Sequence, residues 1–116
     1  MSSPHPLLAL LAGAALIAAP VSGAAAKGHK AKGPVVYTVT VQQMKFGPTP
    51  PTIHVGDTIE WVNNDIFVHS ATAKDHAFDV ELPVKAHRWT TFHKAGTYPF
   101  TCRYHPGMTG TLVVKD

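Results

Sequence analysis

The feature that most narrows the fold of this chain is its punctuation. From residue 35 onward, Gly, Pro, Asn and Asp interrupt the sequence so often that no stretch of ten or more residues carries a helical stripe of apolar side chains. Between interruptions, apolar and polar residues alternate. Val35, Tyr37, Val39 and Val41 fall on one face of a strand, with Val36, Thr38 and Thr40 on the other. Gly47-Pro48-Thr49-Pro50-Pro51 rules out a helix and marks a bend or edge. Residues 52–55 form a short strand, and Gly56-Asp57 turns into residues 58–62, where Ile59 and Trp61 alternate with Glu60. Asn63-Asn64-Asp65 is turn chemistry, and residues 67–73, 88–92, 97–101 and 109–114 read as further strands. Residues 74–85 are mixed in character and read as one helical turn or an irregular loop. Seven or eight short strands predict an all-β fold, a β-sandwich.

Ahead of this region, residues 7–19 (LLALLAGAALIAA) are apolar but fall short of the about 20 residues that span a bilayer. Pro20, Ser22 and Gly23 follow, then the small-residue site Ala24-Ala25-Ala26. This is the layout of a secretory signal peptide over residues 1–26, and it predicts a periplasmic or otherwise exported protein. The alternative is an uncleaved membrane anchor, because the opening MSSPHP lacks the usual basic residue. Residues 27–34, containing KGHKAKG, read as a flexible basic linker, and residues 35–116 as the folded domain. The formal net charge of +3 makes the chain mildly basic. Its basic residues are not interleaved with stacking aromatics, so nucleic acid is not an expected partner. The linker reads as solvated, without firm membrane association.

A small exported domain is usually stapled by disulfides, yet this chain has one cysteine, Cys102. A lone exported cysteine is an intermolecular link, a reactive thiol or a metal ligand. Its neighbours favour the last. Cys102-Arg103-Tyr104-His105-Pro106-Gly107-Met108 sets a thiol, an imidazole and a thioether at spacing C-x2-H-x2-M between two strands, with Pro106 and Gly107 bending the chain between the last two. A strand-to-strand loop turns such side chains toward a common point, whereas a continuous strand scatters them. The best upstream candidate for a fourth donor is His69, in the strand after Asn63-Asn64-Asp65. A thioether is a poor zinc ligand. Two imidazoles, a thiolate and a weak axial Met are the donors of a type 1 (blue) copper centre, holding one copper ion as Cu(I) or Cu(II). Singly, His69 reads as a satisfied strand histidine, Met108 as core packing and Cys102 as a small buried hydrophobe. Their combination carries the reading.

Val55-Gly56-Asp57-Thr58-Ile59-Glu60-Trp61-Val62-Asn63-Asn64, then His69, then Ala95-Gly96-Thr97-Tyr98-Pro99-Phe100-Thr101-Cys102 and the loop through Met108-Thr109-Gly110 resemble the cupredoxins. The loop length, and Met44-Lys45-Phe46, are most similar to amicyanin and pseudoazurin. The resemblance runs over about residues 36–114. It implies a two-sheet Greek-key β-sandwich with copper at one end, His69, Cys102 and His105 as strong ligands and Met108 as the axial one. It also implies that the backbone N–H of residue 70 bonds the cysteine sulfur. Amicyanin has Asn at that position and this chain has Ser70. The Ser70 hydroxyl is expected to bond Thr101 or a neighbouring backbone group, in a somewhat looser loop.

The expected function is single-electron transport between redox proteins, which dock transiently around the edge of His105 through a small interface; the chain is expected to be a monomer. Pro106, Gly107 and Phe67 or Pro48 would form the rim, with Arg103, Lys74 or Lys45 steering an acidic partner. The alternative is a copper-binding module for storage, delivery or sensing. An enzyme is not expected. A Cys102–His105 nucleophile pair has no visible orienting group, multicopper oxidases need H-x-H pairs, and a binuclear centre needs a second cysteine. His5 lies in the leader. His29, His54, His76, His87 and His93 read as surface residues, with His76 (beside Asp75 and near Asp79) the one candidate for a second metal site.

Overall fold

The computed structural model describes residues 1–4, 13 and 33–116. The expected leader core and cleavage site, and nearly all of the expected basic linker, lie outside the described residues. The chain divides into two compact units, Met1–Ala31 and Lys32–Asp116. Among the described residues no helix is long and apolar enough to cross a membrane.

Among the described residues the second unit is an all-β sandwich of nine strands, rather than seven or eight. They are β1 (Val36–Gln42), β2 (Lys45–Phe46), β3 (Ile53–His54), β4 (Thr58–Asn63), β5 (His69–Ala73), β6 (Asp79–Leu82), β7 (His87–Thr91), β8 (Gly96–Thr101) and β9 (Thr109–Lys115). One sheet has the order β2-β1-β4-β7 and the other β3-β9-β8-β5-β6. Strands β1 and β4 pair in parallel, as do β3 and β9, while the remaining pairs are antiparallel.

Alternation decides which side chains meet between the sheets. Val39 and Val41 of β1, Ile59 and Trp61 of β4, and Leu112 and Val114 of β9 are buried. Trp61 stacks edge-on to Phe100 at 5.3 Å, and Phe46 meets Phe100 at 4.8 Å. Gly110 pairs with Phe100 across β8 and β9. The Phe100 ring lies where a side chain at 110 would stand, 2.3 Å from an ideal Cβ. The predicted turn at Gly56 is present with φ +96°. Buried Asp57 fixes it, accepting from the backbone N–H groups of Val35 and His54 at 2.9 and 2.8 Å.

Two segments differ from their sequence reading. Residues 79–82 form strand β6 on the edge of the second sheet, paired with β5 from His69↔Leu82 to Thr72↔Asp79. The four residues do alternate, with Asp79 and Glu81 exposed and Leu82 buried. The flanking His76, at φ +61°, and Pro83 masked so short a run. Strand β5 begins at His69 rather than residue 67. Asn63 explains this: its Nδ2 donates to the carbonyls of Phe67, Leu82 and Pro83 at 2.8, 2.9 and 3.2 Å, while its Oδ1 accepts the Asp65 N–H at 2.8 Å. Residues 64–68 are thereby held as a loop that leaves Ile66, Phe67 and Val68 exposed.

Candidate metal centre

The register of the second sheet sets two distant segments side by side. Strands β5 and β8 pair at Thr72↔Thr101 and Ala73↔Phe100, so His69 and Ser70 extend past the end of β8, next to Cys102. The loop leaving Cys102 returns at Thr109, which pairs with Thr101. Its neck is closed by Cys102 N–H to the Met108 carbonyl at 3.1 Å, and Met108 N–H to the His105 carbonyl at 2.8 Å.

These constraints bring three predicted donors together. Cys102 Sγ lies 3.7 Å from Nδ1 of His69 and 3.7 Å from Nδ1 of His105, and the three ligand atoms all fall within 4.8 Å of one another. His69 and Cys102 are fully buried and His105 is half-buried. Met108 is buried as well and packs within the hydrophobic core, beside the recess formed with Met44, Lys45, Phe46, Gly107 and Thr109. Among the described residues no other cluster of His, Cys, Asp or Glu has metal-ligand geometry, His76 included.

The donor set fits a transition metal. A first-row ion bound at about 2.3 Å to sulfur and about 2.0 Å to nitrogen holds those atoms about 3.6 Å apart at an open angle. That is close to the separations seen. A buried thiol between two imidazoles, with no carboxylate in the cluster, is a soft donor set suited to copper.

The surroundings fix the donors. Ser70 N–H donates to Cys102 Sγ at 3.3 Å, as the resemblance implied. The Ser70 hydroxyl bonds not Thr101 but a neighbouring backbone group, accepting Arg103 N–H at 2.9 Å. It donates in turn to Thr72, whose hydroxyl donates to Asp79, each at 2.9 Å. The Arg103 guanidinium pairs with Asp79 and reaches Glu81 at 3.7 Å, and the Tyr104 hydroxyl donates to Glu81. Both loop residues are thus tied to β6. The hydrogen bond to Glu81 raises the Tyr104 phenol above its ordinary value, with loss of hydration and the Glu81 charge adding to the effect. Arg103, expected to steer partners, has its charge offset by these carboxylates.

Sequence reasoning missed Asp65, which it read as turn chemistry. Asp65 Oδ2 accepts from His69 Nε2 at 2.9 Å, on the far side of the ring from Cys102. The Met44 N–H, first, and the His69 ring hold the Asp65 carboxyl below the ordinary carboxylate range. A spacing of four residues from Asp to His is no signal in a strand-and-turn segment, so nothing in the sequence marked the pair.

A family model described as a cupredoxin-like domain matches residues 8–114. The chain belongs to the cupredoxin-like family. Amicyanin from Paracoccus versutus is 32% identical over 83 residues, which is 66% of this chain and 63% of that protein, so the chain spans less than two thirds of that relative. A solved copper(I) form of an amicyanin variant superposes with a TM-score of 0.59 at 28% identity, over 69% of this chain and 82% of that one. A copper-containing nitrite reductase from Thermus scotoductus SA-01 gives 0.63 at 32% identity, over 72% of this chain and 22% of that one. This cupredoxin therefore has copper as its family's cofactor, and His69, Cys102 and His105 form its potential copper site.

Proposed function

We propose that this cupredoxin is an exported carrier of single electrons, with one copper ion held by His69, Cys102, His105 and, axially, Met108. The observation that carries this reading is the contrast in burial among the three clustered donors. His69 and Cys102 are sealed from solvent, while His105 is partly exposed beside a rim of uncharged side chains. Bound copper would supply a one-electron Cu(II)/Cu(I) couple. The chain supports that couple by resisting rearrangement. Ser70 holds the cysteine sulfur, the Cys102–Met108 backbone bond closes the loop, and Arg103 and Tyr104 strap it to β6.

The half-exposed His105 is then the entry and exit point for the electron. Phe67 stands edge-on to it at 6.3 Å, and Ile66, Val68, Pro106 and Gly107 extend an uncharged surface. Such a surface suits brief docking of redox partners through a small interface, by a monomer. Exposed Lys45 and Lys74 would steer an acidic partner. A storage or delivery role is disfavoured by the complete burial of two donors, which hinders handover of the metal. Export is proposed on the leader over residues 1–26.

The test is the optical and electron paramagnetic resonance spectrum of the copper-loaded chain, with its rate of electron exchange. The reading expects an intense blue thiolate-to-copper band, rapid reversible cycling and a Met108→Gln variant with altered spectrum and potential. Copper uptake without blue colour would overturn it, and rapid metal transfer to an apo-protein would favour the delivery role.

A further inference from the structure

The Asp65 side chain lies outside the donor cluster, yet three N–H groups converge on it. Its Oδ2 accepts from Met44 N–H and from His69 Nε2, and its Oδ1 accepts from Ile66 N–H, all at 2.9 Å. Two of these partners are backbone amides, which can only donate. Both oxygens must therefore accept. An asparagine would have to set its own NH2 against a donor on one side or the other, so the arrangement demands a carboxylate. The third partner, the fully buried His69 ring, faces an acceptor and must carry its proton on Nε2. That leaves the Nδ1 lone pair for the donor cluster, 3.7 Å from Cys102 Sγ.

Other contacts keep the carboxylate in place. The amide of Asp65 donates to Asn63 Oδ1, and Asn63 is itself buried and anchored to three carbonyls. The Met44 amide belongs to a turn in which Gln43 and Met44 both sit in the left-handed region, at φ 52° and 60°. Few sequences hold two such non-glycine residues without outside support. Asp65 supplies that support, so one oxygen links the β1–β2 turn to a metal-site imidazole.

We infer that Asp65 is a positioning residue, which fixes the His69 tautomer for metal binding and, through its negative charge, biases the site toward the more highly charged state of the metal. A carboxylate on the far nitrogen makes the near one a stronger donor, and its negative charge offsets the extra positive charge of Cu(II) more than a neutral group would. The inference rests on the copper reading proposed above, but its first arm is independent of metal.

Nitrogen-15 NMR of the metal-free full chain should show His69 as the Nε2–H tautomer with a slowly exchanging ring proton. A Nδ1–H tautomer overturns the inference whether or not the protein binds copper. The second arm compares copper-loaded wild type with Asp65→Asn and Asp65→Glu. Asp65→Asn should lose about 10- to 100-fold in Cu(II) affinity, lose less for Cu(I), and so show a raised reduction potential. Asp65→Glu, which restores the charge, should return the potential toward wild type. Equal loss for both oxidation states with an unchanged potential would mean that Asp65 only braces the loop, and overturns the inference. Failure of wild type to turn blue counts against the copper reading alone, because the tautomer is still read from the metal-free protein.

Discussion

The backbone N–H of Ser70 donates to the sulfur of Cys102 at 3.3 Å, across 32 positions of sequence. The same residue's hydroxyl accepts Arg103 N–H at 2.9 Å, so Ser70 holds both the donor atom and the start of the loop that follows it. The two roles come from different groups, which separates them experimentally.

Ser70→Ala removes the hydroxyl and keeps the amide. The Arg103 N–H loses its acceptor and Thr72 loses a partner, while the sulfur contact survives. Stability of the metal-free protein should fall by about 1–3 kcal/mol in urea denaturation. The copper-loaded variant should stay blue. An unchanged urea midpoint would show that the hydroxyl does not fasten the loop.

Asp65 gives a pH dependence with a definite sign. Its folded carboxyl lies below the ordinary value of 3.8, held there by the Met44 N–H first and His69 second. A lowered folded value means that the contribution to stability is fully present above the unfolded value and is lost as pH falls through the folded one. The difference in melting temperature between metal-free wild type and Asp65→Asn should be steady near neutral pH and shrink as pH falls below 3.8. A difference that widens in acid would contradict the assignment.

Why the donors were legible and their supports were not follows from how each is encoded. Cys102 and His105 share one loop of fixed length, and His69 lies in the strand that follows a turn signal, so local chemistry pointed to the three residues that cluster. The sandwich was legible because β1, β4 and β9 alternate cleanly. Strand β6 was not, because four residues between a left-handed His76 and Pro83 offer too few periods to count. Asp65 and the β6 carboxylates act across loops. Their partners are set by sheet register, as when Thr72↔Asp79 and Ser70↔Glu81 bring Asp79 and Glu81 under Arg103 and Tyr104. No spacing in the chain encodes that meeting.

The strap from Tyr104 to Glu81 has a direct reading. The phenol of Tyr104 sits above the ordinary 10.0 because its hydroxyl donates a hydrogen bond to Glu81, with loss of hydration and the nearby Glu81 charge adding to the effect. In ultraviolet titration, Glu81→Gln should move one tyrosine back toward 10.0, and Tyr104→Phe should remove that same tyrosine from the titration. If Glu81→Gln leaves every tyrosine where it was, Tyr104 is not held to β6 in solution.

Gly110 tests the packing that sets the far strand of the loop. It pairs with Phe100, whose ring atoms lie 2.3, 2.8 and 2.9 Å from the place an ideal Cβ would occupy. These are ring carbons of a fully buried side chain pressed between Phe46 and Trp61, so they cannot swing aside as a flexible chain end would. Gly110→Ala should therefore destabilise the fold by roughly 1–3 kcal/mol through overpacking. The backbone at 110 needs no left-handed conformation, so the cost is steric and should respond to volume elsewhere. Adding Phe100→Leu to Gly110→Ala should cost less than the two single changes summed, in a double-mutant cycle on urea midpoints. Additive effects would mean that the ring and the glycine do not share one space.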